Sequence, residues 1–525
     1  MKVFLIQAPL WGLEPPIGLA QLGAYLEQVG HEVSVFDVNI DLYHRRSKEH
    51  NLAWTAEQST IWTDYDIYPT IMKSNKAYIQ KQYLDPIATA GRAVVGFSIN
   101  VCSFYASLMM AQMIKEANPE IMVVFGGQLF SVDDGWRNEA FKDGSVDAIV
   151  LGDGEHTFAD LIQRYSNRQG YEDCPGVFLW RGQKIVFTGA RPPVDLNTLP
   201  FANYSYFNWD VYVEDQYHRG DLLLMTTRGC IRQCLFCGYR SGWPGFRSMS
   251  GQRIFDEIVY QHRRMPSTSY LKFYDLLLNG DMNALTTLAE KLRGWKEKKF
   301  IWRDINCIIR PEMTEEACRA LREAGCQDIT FGIESGSQRV LNLMRKGQRV
   351  DVAEQVLRNV RRAGIQTLCN FMFGFPGETE ADFQETLNFL KRNHDYISFI
   401  YPSYTMCLVE PASPMRHMKE ELGIRGDHSM YWESSDGQNT YPVRLRRYKE
   451  FCQLVDVLKI NRRDGHSVGS SFELIEWLNL ADYYRHMKDY KKALECYTKY
   501  CTIDPHNEYV VKKMVQCSSE LYPTS

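Results

Sequence analysis

The chain has 525 residues, 45% of them apolar, which is too long for one ordinary domain and predicts about three. A net charge of −4 speaks against bulk electrostatic capture of nucleic acid or of an anionic membrane. No run of about 18 apolar residues is present, and the opening MKVFLIQAPLWG lacks a small-residue cleavage site, so it reads as the first β-strand of a cytoplasmic protein.

Residues 1–165 alternate short apolar runs with helical patterns. Strands are expected at 2–7, 32–38, 93–99, 121–126 and 147–151, with helices such as 18–30 and 104–117 between them. This βαβα order predicts a doubly wound parallel sheet, with a ligand site at the carboxyl ends of its strands. The loops there are Pro9 to Gly18, Asp37, Gly96 to Ser98, Gly126-Gly127 and Gly152-Asp153-Gly154-Glu155. Glycine at successive strand ends lets backbone approach a bulky ligand. No G-x-G-x-x-G follows the first strand, which disfavours a dinucleotide. Residues 40–92 read as an aromatic-rich insertion whose pattern assigns no elements.

Residues 166–215, with Pro192, Pro193 and Pro200, read as a linker. A second series spans 216–410, with strands at 221–226, 269–275, 301–309, 328–334, 366–373 and 397–402. Helices at 252–264, 283–297, 314–324, 351–363 and 380–392 separate them. Six βα units suit a partial barrel with its site at the carboxyl mouth. Residues 411–470 form an extension in which 430–447 reads as a lid, offering Trp432, Asn439 and Arg444, or as a plain surface loop. In 471–525, Trp477, Leu480, Ala481, Tyr484, Ala493, Tyr497 and Pro505 match tetratricopeptide spacing. A single copy caps the enzyme or docks a partner, since solenoid repeats bury their faces on neighbours; a plain helical hairpin is the alternative.

Of the 14 cysteines, eleven are scattered and read as reduced, part-buried thiols. Cys230, Cys234 and Cys237 instead form C-x3-C-x2-C just after a predicted barrel strand. Thiolates suit iron–sulfur clusters, and three can hold three irons of a [4Fe–4S] cluster while the fourth stays open for a small molecule. A structural zinc site wants four protein ligands, and no fourth Cys or His lies close by in sequence.

The segment LLLMTTRGCIRQCLFCGYR resembles the radical S-adenosylmethionine (radical SAM) superfamily over roughly 221–410, with Phe236 as the aromatic before the third cysteine. The resemblance implies S-adenosylmethionine contacts from Glu334 and Ser335 in FGIESGS, and from Phe375 and Pro376 in FMFGFPGET, which would flank adenine. YDLLLNGD stands where many members carry Gly-Gly-Glu, so Asp275 or Asn279 would have to meet the methionyl amine. Arg310 would pair with the carboxylate. The activity implied is reductive cleavage of S-adenosylmethionine to methionine and a 5′-deoxyadenosyl radical, in an oxygen-sensitive enzyme with an electron donor such as flavodoxin or ferredoxin.

APLWGLEPPIGLAQLGAYL, GGQ and VDAIVLGDGEHTF resemble the cobalamin-binding domain that precedes the barrel in one large subgroup. The resemblance implies cobalamin contacts from Pro9, Gly18, Asp37, Gly96, Ser98, Gly126, Gly127, Gly152, Gly154 and Glu155. The loop PLWGLEPPIGL lacks the Asp-x-His-x-x-Gly of domains that place a histidine on cobalt, so no protein imidazole is expected there. The subgroup implies methyl transfer to an unactivated carbon, or alternatively cyclisation, rearrangement or hydroxylation, on a small molecule or peptide. A methylthiotransferase would need a second cluster, yet the first 165 residues contain only Cys102. A scaffold acting through the tetratricopeptide-like tail is the non-enzymatic alternative.

Overall fold

The computed structural model describes the chain except residues 48–49, 51–52, 55–61, 63–67, 132–133, 213–219, 240–241, 244, 304, 404–405, 463–469 and 523–525. It divides into two compact units. The first holds residues 1–231, 238–308 and 319–329; the second holds 232–237, 309–318 and 330–525.

The first unit opens with a seven-stranded sheet. Its parallel part comprises β1 (Lys2–Gln7), β2 (Glu32–Asp37), β3 (Ala93–Ser98), β4 (Met122–Gly126) and β5 (Ala148–Val150). The order is β2-β1-β3-β4-β5, so the winding reverses between β1 and β3, where open α/β sheets bind ligands. The inner strands are buried on both faces, as parallel strands covered by helices must be. Ile6, Val95, Val123 and Phe125 build one apolar layer, and Val3, Leu5, Val94 and Val124 build the other. Two antiparallel strands, β6 (Val177–Arg181) and β7 (Lys184–Phe187), extend the sheet beyond β5, inside the segment expected to be only a linker. Their hydrogen-bonding edge was available because β5 is the last parallel strand.

The aromatic insertion joins this core. Trp54 and Trp62 are buried beside Ile71, Ile79 and Val38, with ring centroids 5.1 Å apart. Both indole N–H groups are satisfied, Trp54 on Asn39 Oδ1 at 2.8 Å and Trp62 on the Ala53 carbonyl at 2.7 Å. Short helices Tyr68–Ser74, Lys76–Ile79 and Asp85–Ala88, with a π-turn at Gln80–Leu84, complete it.

The rest of the first unit carries β8 (Asp221–Leu224), then β9 (Thr227–Gly229) paired antiparallel with β10 (Phe246–Ser248). It continues with β11 (Tyr270–Phe273), β12 (Ile301–Arg303) and β13 (Ile305–Cys307). β8, β11 and β12 form a parallel sheet in the order β12-β11-β8. Helices Gly251–Arg264 and Met282–Gly294 start on Ser250 and Asp281, whose side chains accept first-turn N–H groups.

In the second unit, β14 (Asp328–Glu334, which belongs to this unit from Thr330 on), β15 (Gln366–Phe371), β16 (Phe399–Pro402) and the two-residue β19 (Asn461–Arg462) lie side by side. Between them in sequence falls the small pair β17 (Ile424–Arg425) and β18 (Glu433–Ser434). Helix Glu380–Asn393 begins in a reciprocal capping box of Thr379 and Asp382. The tail folds as helices Ser470–His486, Tyr490–Ile503 and Glu508–Leu521 around Ala481, Ala493 and Tyr497. The third helix lies beyond the expected hairpin. Among the described residues no helix is long and apolar enough to cross a membrane.

Because Trp62 is fully buried within the insertion, Trp62→Ala is expected to lower the unfolding free energy by about 3–5 kcal/mol. Chemical denaturation measures this, and an unchanged midpoint would mean the insertion is not part of the sheet's core.

Candidate functional site

A cavity of about 390 Å³ lies in the first unit at the carboxyl ends of β1, β3, β4 and β5. Eight of the ten residues expected to meet cobalamin line it: Gly18, Gly96, Ser98, Gly126, Gly127, Gly152, Gly154 and Glu155. Gly127 is indispensable in shape, with φ +137° and a Cβ position 2.1 Å from the Ile99 carbonyl oxygen. Leu5, Leu19, Leu22 and Phe158 make the wall apolar, while Ser98, Asn100 and Gln128 offer polar groups. No histidine lines it among the described residues.

Pro9 and Asp37 do not line this cavity. Pro9 is buried. Asp37 caps helix Val38–Arg45 by accepting the Ile40 N–H, and it also accepts the Tyr212 hydroxyl. Burial pushes its carboxyl up to about 6 against those bonds. Its position at a strand end therefore reflects a cap. The cavity also contains Met225, Arg228 and Trp243, which strand-end reasoning could not find because they come from the chain around the cysteine loop.

Arg228 belongs to a buried group of four charges. Its guanidinium meets Asp153 at 2.8 Å and forks onto Glu155, while Arg247 also grips Asp153. Arg228 and Arg247 are cross-strand partners of β9 and β10, so both reach the same side. Burial pushes the Asp153 carboxyl up, but Arg247 and Arg228 more than offset it and hold it low.

The chain just before the cysteines is held on its other flank by Asp275. This carboxylate accepts the N–H and hydroxyl of Thr226, at 2.8 and 2.7 Å, and both groups of Thr227. Gly229 follows at φ +82°, where a Cβ would sit 1.9 Å from the Gly245 carbonyl oxygen. Cys230, Cys234 and Cys237 are all half-buried. In the second unit, the Cys237 N–H donates to the Cys234 carbonyl at 3.3 Å, and buried Leu235 exchanges backbone bonds with Met344 and Met415. Among the described residues no three His, Cys, Asp or Glu side chains converge as a single metal ion requires. Cys230 belongs to the first unit and Cys234 and Cys237 to the second, and a four-iron cube takes each thiolate on a different iron, so it does not ask three side chains to converge on one ion.

Several residues expected around S-adenosylmethionine are otherwise engaged. Asp275 is fully buried in its threonine bonds, and burial raises its carboxyl to about 6 despite them. Asn279 is buried too, bonding the Ile308 carbonyl at 2.8 Å and its N–H at 3.0 Å. Both side chains are thus committed to protein partners. The Phe375 ring packs in the core with Trp432 and Met415, and Pro376 is buried, so neither forms an open adenine platform. Arg310 pairs with Glu312 at 2.6 Å. Glu334 holds the unusual φ of +63° and pairs with Lys346 at 2.8 Å; that ammonium also lies 5.6 Å from the Phe236 ring centroid. Ser335 is buried against the Thr386 hydroxyl at 3.1 Å.

Trp432, Asn439 and Arg444 are buried and grip the Gly374-Phe375 loop instead of standing as exposed lid contacts. Asn439 Nδ2 donates to the Gly374 carbonyl at 2.8 Å, and Arg444 donates to Asn439 Oδ1 at 3.1 Å and to the Trp432 carbonyl at 3.0 Å. Glu378 accepts the Gly374 N–H at 2.6 Å and Arg447 at 2.9 Å. Burial pushes Glu378 up to about 7, with Arg447 working against it.

A folded-state pKa above the unfolded value makes stability greatest at low pH and erodes it as pH rises through the folded value. Glu378 therefore loses stabilising influence as pH passes about 7. The stability advantage of the wild type over Glu378→Gln is expected to be smaller at about pH 8 than at about pH 6, measured by denaturation of the cofactor-free chain. An advantage constant across that range would contradict the raised value.

Residues 224–390 match the radical SAM superfamily, and residues 475–507 match the tetratricopeptide repeat. An uncharacterised methyltransferase of Pyrococcus horikoshii is 26% identical over 393 residues, covering 73% of this chain and 75% of that protein. An anaerobic magnesium-protoporphyrin IX monomethyl ester cyclase of Synechocystis is 24% identical, covering 74% and 70%. The solved structure of TsrM from Kitasatospora setae, a radical S-adenosylmethionine methyltransferase with cobalamin and a [4Fe–4S] cluster bound, superposes with a TM-score of 0.64 at 16% identity, covering 94% of this chain and 99% of that one. The chain therefore has the fold of that enzyme, with a radical SAM domain at 224–390.

Proposed function

We propose that this radical SAM enzyme uses a [4Fe–4S] cluster, S-adenosylmethionine and cobalamin to transfer a methyl group to an unactivated carbon. The observation that carries the reading is one cavity, walled by glycine strand ends, that reaches Arg228 only two residues before Cys230. The cofactors supply the electron, the 5′-deoxyadenosyl radical and the methyl group. Cys230, Cys234 and Cys237 would hold the cluster. The eight cavity residues would seat cobalamin, with the glycines allowing close backbone approach and the apolar wall excluding water.

For S-adenosylmethionine, Arg310, Glu334, Ser335 and Phe236 remain the proposed neighbours, with Lys346 neutralising Glu334. Backbone at Gly374 to Gly377 would meet adenine in place of the buried Phe375 and Pro376 side chains. Asn439 and Glu378 hold the start of that loop from behind.

The proposed domain plan assigns 1–165 to cobalamin, 216–410 to the barrel, 411–470 to the extension and 471–525 to the tail, while 166–215, expected as a linker, also adds β6 and β7 to the N-terminal sheet. The tail's helix Ser470–His486 sets Tyr483 against Tyr431 and Tyr441, which supports a capping role; docking of a protein partner is compatible with it. A cytoplasmic location, a flavodoxin- or ferredoxin-type electron donor and a small-molecule or peptide substrate complete the reading. Cyclisation is the second reading, favoured by the similarity to the Synechocystis cyclase.

Reconstituted enzyme supplied with reductant, cobalamin and methyl-labelled S-adenosylmethionine is expected to label cobalamin and to release 5′-deoxyadenosine. Formation of neither would refute the function. Label on cobalamin that never reaches a product, with a product whose mass shows no gain of one methylene, would favour the second reading.

A further inference from the structure

Arg228, Arg247 and Asp153 have no task in the proposed reaction, yet they form a buried quartet with the cavity residue Glu155. Their side chains are 7%, 18%, 6% and 4% exposed. Stability is a weak reason for such a group, because desolvating charges offsets most of what their pairing returns; fixing register is the better-attested use. The inference that follows rests on the proposed function.

We propose that Arg228 is a positioning residue that ties the rim of the cobalamin cavity to the first cluster thiolate, so that filling the cavity is felt at the cluster. Asp153 and Glu155 alternate with the cavity glycines Gly152 and Gly154, so the rim cannot move without moving the two acids. Those acids hold Arg228, which itself lines the cavity. Arg247 braces Asp153 from the neighbouring strand and donates to the Val194 carbonyl at 3.0 Å, while Asp153 accepts the Val194 N–H at 2.9 Å.

On the other flank, Thr226 and Thr227 are fixed by Asp275. Beyond Arg228 there is one residue before Cys230, and that residue, Gly229, is paired with Phe246 in the β9–β10 ladder and has no room for a side chain beside the Gly245 carbonyl. A strand advances about 3.3 Å per residue, so a chain this short and this confined passes a shift of Arg228 on to the cysteine. The fork of a guanidinium onto two carboxylates sets direction as well as charge, which an ammonium cannot do.

The test compares wild type, Arg228→Lys and Arg247→Lys as full-length, anaerobically reconstituted protein. Iron content, thermal melting, hydroxocobalamin affinity by equilibrium filtration, and the electron paramagnetic resonance of the reduced cluster with and without hydroxocobalamin are measured. In wild type, hydroxocobalamin is expected to alter the cluster signal. Arg228→Lys is expected to keep its iron, to bind hydroxocobalamin about tenfold more weakly and to lose the signal change. Arg247 does not line the cavity, so Arg247→Lys is expected to blunt the signal change without touching the ligand, and it serves if Arg228→Lys fails to fold. The inference is overturned if wild type binds hydroxocobalamin with no change at the cluster, or if the folded variants bind and respond as wild type does. It is also overturned if only their melting temperature falls. Wild-type protein that holds its cluster but never binds hydroxocobalamin sinks the proposed function itself.

Discussion

Parallel strands deliver all their carboxyl ends to one edge of a sheet, and the chemistry of this chain depends on that constraint. In the N-terminal sheet it gathers Gly18, Gly96, Gly126, Gly127, Gly152 and Gly154, which lie far apart in sequence, around a single cavity. The register of β1 with β3 and of β3 with β4 brings Gly96 beside Leu5 and Val124, so the apolar wall and the open rim come from the same strands. The same rule places the carboxyl end of the parallel strand β8 shortly before the cysteine loop, with the antiparallel β9 between them.

Buried charge then does what apolar packing cannot, which is to fix direction. Asp275 points four donors' worth of backbone and hydroxyl at one spot before the cysteine loop. Arg228 and Arg247 draw Asp153 and Glu155 to the opposite flank. In the second unit, Asn439, Arg444, Glu378 and Arg447 hold the Gly374 loop by its peptide groups. Each group is costly to bury alone, and each is satisfied by partners remote in sequence.

That remoteness explains what was legible in the sequence. The strand runs 2–7, 328–334 and 366–371 could be read because apolar β-branched runs report local burial, and the cysteine spacing could be read because its chemistry is local. Strand-end glycines were found for the same reason. The protein contacts of Asp275 and Asn279 were not legible because their partners, Thr226, Thr227 and Ile308, lie about 30 to 50 residues away. Phe375 looked like a ligand platform, but the Trp432 and Asn439 segment that buries and braces it comes more than fifty residues later. Residues 40–92 stayed unreadable because their tryptophans follow no period and find their places only on the finished sheet.

The central claim is an iron left open by a protein that offers three thiolates. Its most direct measurement is the electron paramagnetic resonance of the anaerobically reconstituted, reduced chain, recorded before and after S-adenosylmethionine is added, together with iron quantitation. The account predicts about four irons per chain and a spectrum that changes when the sulfonium compound binds. An iron-free chain, or a cluster whose spectrum ignores S-adenosylmethionine, would contradict it.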